Sequence, residues 1–186
     1  MSDAPSLEAL LSAATRAEVK RDGLNLNLLA QAARQAGADA LALKSALLAR
    51  QRGFSEAPLS VELELLFRYE QLEPLLDLAI EYHDQDILQR IVLSFGGHPD
   101  LHRHGLAAAD ALASMLGAAP ALPPRRAEPN SNQLWEAFLA GDSSLIGWGL
   151  RRYGAPMVDR IMRLASQGIG ALKPVAAIMP AWIEIQ

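Results

Sequence analysis

Residues 74–97 read PLLDLAIEYHDQDILQRIVLSFGG, and this stretch decides the fold class. Pro74 suits the first turn of a helix, where its missing N–H is not needed. Leu75, Leu76, Ala79 and Ile80 then recur at helical spacing. Asp84 or Asp86 can cap a second helix with the stripe Ile87, Leu88, Ile91, Val92 and Phe95, and Gly96-Gly97 stops it. Helices of about 10–15 residues are marginal alone, so each must pack its apolar stripe on a neighbour.

The same punctuation extends in both directions. Toward the amino terminus, Ser6 can cap a helix with the stripe Leu7, Leu10, Leu11 and Ala14, ended by Gly23. A second helix runs from about Asn27 to Ala36, with Gly37 as its stop. Asp39 is positioned to cap a third, followed by Gly53. Pro58 opens a fourth, with Leu59, Leu63, Leu66 and Phe67 on one face. Toward the carboxyl terminus, Asp100 is positioned to cap a helix reaching about Leu116. Four prolines between Gly117 and Pro129 then prevent a continuous helix and favour extended, polyproline-II-like chain. Beyond them Ser131 caps a helix carrying Leu134, Trp135, Phe138 and Leu139, which Gly141 ends. Asp142 or Ser143 starts the next, and another follows Pro156, with Val158, Ile161, Leu164 and Ala165 inward. From Gly168 to Gln186 the pattern is less regular, broken at Lys173-Pro174 and Met179-Pro180.

The reading is therefore all-α: a multi-helix bundle or a short α-solenoid of helix hairpins. The expected organisation is a helical body over 1–117, a Pro-rich connector over 118–130 and a smaller helical part over 131–186. A weak echo between Tyr82…Gln89-Arg90-Ile91-Val92 and Tyr153…Asp159-Arg160-Ile161-Met162 favours the solenoid. Composition agrees, because 51% of the 186 residues are apolar but only 5% aromatic, so the core must be built mainly of Leu and Ala. Sparse β-branched residues argue against a large sheet.

Several function classes are disfavoured. A formal net charge of −4 opposes general nucleic-acid binding, which needs a cationic surface. The absence of cysteine rules out disulfides and thiolate metal sites. No secretory signal is read in Met1–Pro5. The longest apolar run, about Leu106–Leu122, is interrupted by Asp110 and Pro120 and is too short to span a bilayer. A cytoplasmic protein is the expectation. No Gly-x-Ser-x-Gly, His-Glu-x-x-His or Walker-type pattern occurs, so no catalytic residue is assigned.

Charge is unevenly distributed. From Glu56 to Asp110 there are eleven Asp/Glu against three Arg and no Lys. Glu73, Asp77 and Glu81 fall at i, i+4 and i+8, with Asp84 three further on. On a helix they make an acidic line suited to a basic partner. Trp182, Ile183 and Ile185 form a short apolar end that needs a surface to cover it. The first expectation is thus a non-enzymatic protein-interaction or adaptor module using these seven residues. Its setting would be an accessory role in a bacterial secretion-type assembly, or neutralisation of a basic toxin as an immunity protein; self-association is also open.

All four histidines, His83, His98, His102 and His104, lie between 83 and 104. Imidazole ligates Zn, Ni, Cu and Fe, so the alternative expectation is a metal-binding enzyme or sensor holding a divalent transition metal here. Two features oppose it: His102 and His104 point to nearly opposite faces of a helix, and Gly-Gly-His-Pro-Asp is ordinary stop-and-cap chemistry. His83 reads as half-buried at the edge of an apolar face. A third alternative is a regulator contacting nucleic acid through Arg151, Arg152, Arg160 and Arg163. Finally, Gly147-Trp148-Gly149 inside a helical pattern either permits close packing or exposes Trp148.

Overall fold

The structure, a computed structural model, describes residues 6–20, 22–54 and 56–185. Met1–Pro5 and the side chain of Leu7 lie outside what is described. Among the described residues the protein is all-α, with eleven α-helices, one 3-10 turn and no strand. The chain divides into two compact units, Met1–Arg125 and Arg126–Gln186.

The first unit contains α1 (Leu7–Lys20), α2 (Gly23–Gln35), α3 (Asp39–Gln51), α4 (Glu56–Arg68), α5 (Leu72–Glu81), α6 (Gln85–Phe95) and α7 (His102–Leu116). Each helix packs chiefly on its chain neighbours, with next-neighbour contacts α1–α3, α2–α4 and α5–α7. At the α2–α3 contact the buried side chains include Ala30, Ala33, Ala42, Ala46 and Ala49, all fully inaccessible. Such small residues let two helix axes approach closely, which explains why an alanine-rich sequence can hold a core. From α4 onward larger residues take over. Leu63 and Leu66, Leu72, Leu75 and Leu76, Leu88, Ile91, Val92 and Phe95, and Leu112 form one cluster across α4–α7.

Several helix ends differ from the sequence expectation. Gly23 does not stop α1; it opens α2, with Asp22 as N-cap accepting from Asn25 N–H. A side chain at Gly23 would run into the Phe54 ring, its Cβ lying 2.7 Å from Phe54 Cδ2. Asp39 does not cap α3, because Ala38 holds that position. Its carboxylate is instead buried and accepts hydrogen bonds from Tyr69 Oη at 2.6 Å and Arg68 Nη1 at 2.9 Å. Asp100 does not cap α7. Its own N–H and that of Leu101 donate to His98 Nδ1 at 3.1 and 3.2 Å in the turn that precedes α7, and α7 itself starts after Leu101 with no side-chain cap. Asn130 rather than Ser131 caps the first helix of the second unit, in a reciprocal capping box with Gln133.

Two turns use non-glycine residues in the left-handed region, Glu70 and His83, both with φ 54°. His83 N–H donates to Ile80 O, closing α5. That turn places His83 in solvent, exposed rather than half-buried.

Polar groups bridge α2, α3 and α4. Arg34 pairs with Glu64, which also meets Arg68 at 3.5 Å. Arg50 makes a two-pronged contact with Glu62, Nε to Oε2 at 2.7 Å and Nη2 to Oε1 at 3.2 Å. Burial, followed by the Asp39 carboxylate, pushes the Tyr69 phenol well above the usual tyrosine range. The unfolded chain loses this proton near pH 10 while the folded chain keeps it. The Tyr69 contribution is therefore complete below about pH 10 and is lost progressively above it. Tyr69→Phe should cost about 1–2 kcal/mol at neutral pH. Urea unfolding at successive pH values should also show a shallower decline above about pH 10 in the variant than in the wild type. Parallel declines would remove Tyr69 from this account.

The second unit contains α8 (Ser131–Leu139), α9 (Ile146–Tyr153), α10 (Ala155–Ser166), the 3-10 turn Gly170–Leu172 and α11 (Lys173–Ile185). The stretch read as irregular is thus mostly helix. Pro174 falls in the first turn of α11, where proline is tolerated, and Pro180 sits inside the helix at an exposed position. Phe138, Ile146, Ile161, Leu172, Val175 and Met179 are fully buried. The Gly147-Trp148-Gly149 question resolves toward packing. Trp148 is buried, and a Cβ at Gly149 would lie 2.5 Å from Met157 Sδ.

Candidate docking groove

In the first unit, the end of α5, the start of α6 and one face of α7 surround an open groove of about 760 Å³. The α7 wall is built from Ala107, Asp110, Ala111, Ser114 and Met115, which recur at i, i+3, i+4, i+7 and i+8 and so share a face. Three are small, Ala107, Ala111 and Ser114, so this face cannot fill the space in front of it. Ile80 of α5, 42% exposed, completes an apolar floor with Ala107, Ala111 and Met115. Glu81, Asp110, His83 and Gln85 form a polar rim that is exposed to water. The left-handed turn at His83 is what brings its imidazole to this rim.

Of the four acids expected to form a line, Glu73, Asp77 and Glu81 lie exposed on α5 at a spacing that keeps them on one side of the helix. Glu81 reaches the groove and Asp77 is exposed. Glu73 pairs with Arg103 of α7 at 3.2 Å, both side chains being more than 70% exposed; such a pair adds little stability but offsets the acidic charge at that end. Asp84 lies beyond the helix. It accepts from Ile87 N–H at 2.9 Å as the α6 N-cap and lines a different, smaller depression with Leu59, Glu64 and Arg90. Asp110, which has the α5 acid Glu81 across the groove, was not singled out from sequence. The signal for it was the run of small residues at helical spacing on α7.

In the second unit Trp182 is buried at 5% exposure, so it serves that unit's own core. Ile183 is 55% exposed and Ile185 is half-buried. Arg151, Arg152, Arg160 and Arg163 are exposed, and the Arg160 guanidinium stacks 4.4 Å above the Trp135 ring.

The histidines are not brought to a common point. Among the described residues no three His, Asp or Glu side chains converge as a metal site would require. His98 Nδ1 is engaged by two backbone donors, His104 is buried, His102 is half-buried and His83 faces the groove. No helix is long and apolar enough to cross a membrane among the described residues.

Comparison with known protein families, with curated proteins and with solved structures gave no match.

Proposed function

We propose that this protein is a non-enzymatic interaction module, and that the groove between α5 and α7 takes an amphipathic helix bearing basic side chains from a partner protein. The observation that supports this reading is the combination of an apolar floor, Ile80, Ala111 and Met115, with the carboxylates Glu81 and Asp110 on its rim. An amphipathic helix laid in a groove buries apolar anchors on the floor, while opposite charge at the rim speeds encounter and rejects acidic competitors. An accessory role in a bacterial secretion-type assembly and neutralisation of a basic toxin both call for a face of this chemistry.

The test uses a synthetic Leu/Lys amphipathic helix as probe and methyl NMR of the methionines as readout. Saturable binding should perturb Met115 before the other methionine methyls. Glu81→Lys combined with Asp110→Lys should weaken the affinity at least about tenfold, equivalent to about 1.4 kcal/mol, with helicity unchanged. Perturbation spread evenly over the methionines, or equal affinity in the double variant, would overturn the assignment.

A further inference from the structure

The chain leaving α7 carries a second recognition feature that the groove does not use. Residues 119–125 are Ala119, Pro120, Ala121, Leu122, Pro123, Pro124 and Arg125. Proline fixes φ near −65° at three of these positions. A following proline also restricts Ala119, Leu122 and Pro123 to extended conformations. The segment has neither helix nor strand, as these constraints require. Polyproline II repeats every three residues. Pro120 and Pro123 therefore share one edge, and Ala119, Leu122 and Arg125 share another. Ala119, Leu122 and Arg125 are exposed, and the two edge prolines are half-buried.

An apolar residue followed by proline, repeated three residues on and closed by an arginine, is what aromatic-lined polyproline grooves read. The ring-bearing clefts take the successive apolar-proline pairs, and the segment binds without first losing much conformational freedom. The arginine calls for a carboxylate beside the partner's groove.

The strap is also held by its own unit. A Cβ added at Gly97 would overlap Pro124 O, and one at Gly96 would lie 2.9 Å from Pro123 Cδ and 3.1 Å from Leu122 Cδ2. The two glycines after α6 thus form a flat seat under Leu122–Pro124. For Gly97, every close neighbour of the missing side chain belongs to the strap.

We infer that residues 119–125 are a docking strap for a partner domain with an aromatic-lined, PxxP-reading groove and an acidic residue for Arg125, and that the Gly96-Gly97 seat competes with that partner for the same edge. This rests on residues separate from the α5–α7 groove, so either proposal can fail without the other.

The experiment titrates the full-length chain with a panel of purified SH3 domains that prefer a carboxyl-terminal arginine after PxxP, following the domains' groove tryptophan fluorescence. Saturable binding is expected from at least one domain. It should vanish in the Pro120→Ala/Pro123→Ala variant and weaken at least about tenfold in Arg125→Glu, with circular dichroism unchanged in both. Gly97→Ala should lift the strap from its seat and tighten binding. No binding by any domain, or binding that survives loss of both prolines, would overturn the strap. Unchanged or weaker binding by Gly97→Ala would overturn the competing seat.

Discussion

Gly105→Val should destabilise the first unit by about 3 kcal/mol or more, at the upper end of what overpacking produces. The reason is where Gly105 sits. It lies in the first turn of α7, buried, against the end of α6. A Cβ there would overlap the backbone N and Cα of Gly96 and lie 2.8 Å from the carbonyl carbon of Phe95. These are main-chain atoms, so no rotamer change relieves the overlap. Relief requires α6 and α7 to separate. Ile91, Val92 and Phe95 of α6 and Ala108 and Leu112 of α7 belong to one core cluster, and separation would open it. Gly105→Ala should follow the same direction with a smaller loss, about 1–3 kcal/mol. Gly170→Ala is the control, because its Cβ enters open space; it should stay within about 0.5 kcal/mol of the wild type. Urea unfolding followed by far-UV circular dichroism measures all three. Equal midpoints for Gly105→Val and the wild type would show that the two helices do not cross this closely.

The second large effect is expected at Glu62. Its side chain is 5% exposed and that of Arg50 20%. The Glu62 hydrogen bond is the main influence holding the Arg50 guanidinium protonated above its ordinary range, against the opposing effect of burial. Glu62→Ala removes the counter-charge and leaves a partly buried cation. Breaking a buried pair from one side costs about 3–5 kcal/mol, and the lower figure fits here because Arg50 retains some water. Glu62→Gln keeps the shape and one acceptor, so its loss should be nearer 1–2 kcal/mol. The double change Arg50→Met/Glu62→Leu should recover most of the stability, since neither charge then needs a partner. A double-mutant cycle from chemical unfolding reads the coupling directly. Additive losses, with no recovery in the double variant, would show that the two residues act independently.

Helix existence was legible because it depends on local signals. Pro58, Pro74 and Pro156 stand in first turns, Asp84 caps α6, and Gly37, Gly53 and Gly141 take the left-handed conformation. Much of what failed was decided by a neighbour distant in sequence, although Asn130 took the cap expected of Ser131 by a purely local capping box. Asp39 looked like a cap until Tyr69, thirty residues on, claimed its carboxylate. The Arg50–Glu62 pair spans two helices and leaves no periodic trace. Trp182 looked like an uncovered end, although the α11 helix turns it into its unit's core. His98 follows no helix-cap pattern; the turn around Pro99 puts its Nδ1 within reach of two N–H groups ahead of α7, which has no side-chain cap. Of the groove, Glu81 and His83 were legible as polar residues near a helix end. Asp110 was not, because its importance depends on which face of α7 meets α5.

Because helices of the first unit pack chiefly on those before and after them in the chain, its contacts have short sequence separation. Little loop-closure entropy has to be overcome before such contacts form, and low contact order of this kind goes with folding in microseconds to milliseconds. Each new helix can also condense on its predecessor as the chain is made, so the amino-terminal hairpins need not wait for the carboxyl-terminal part to gain a partner surface.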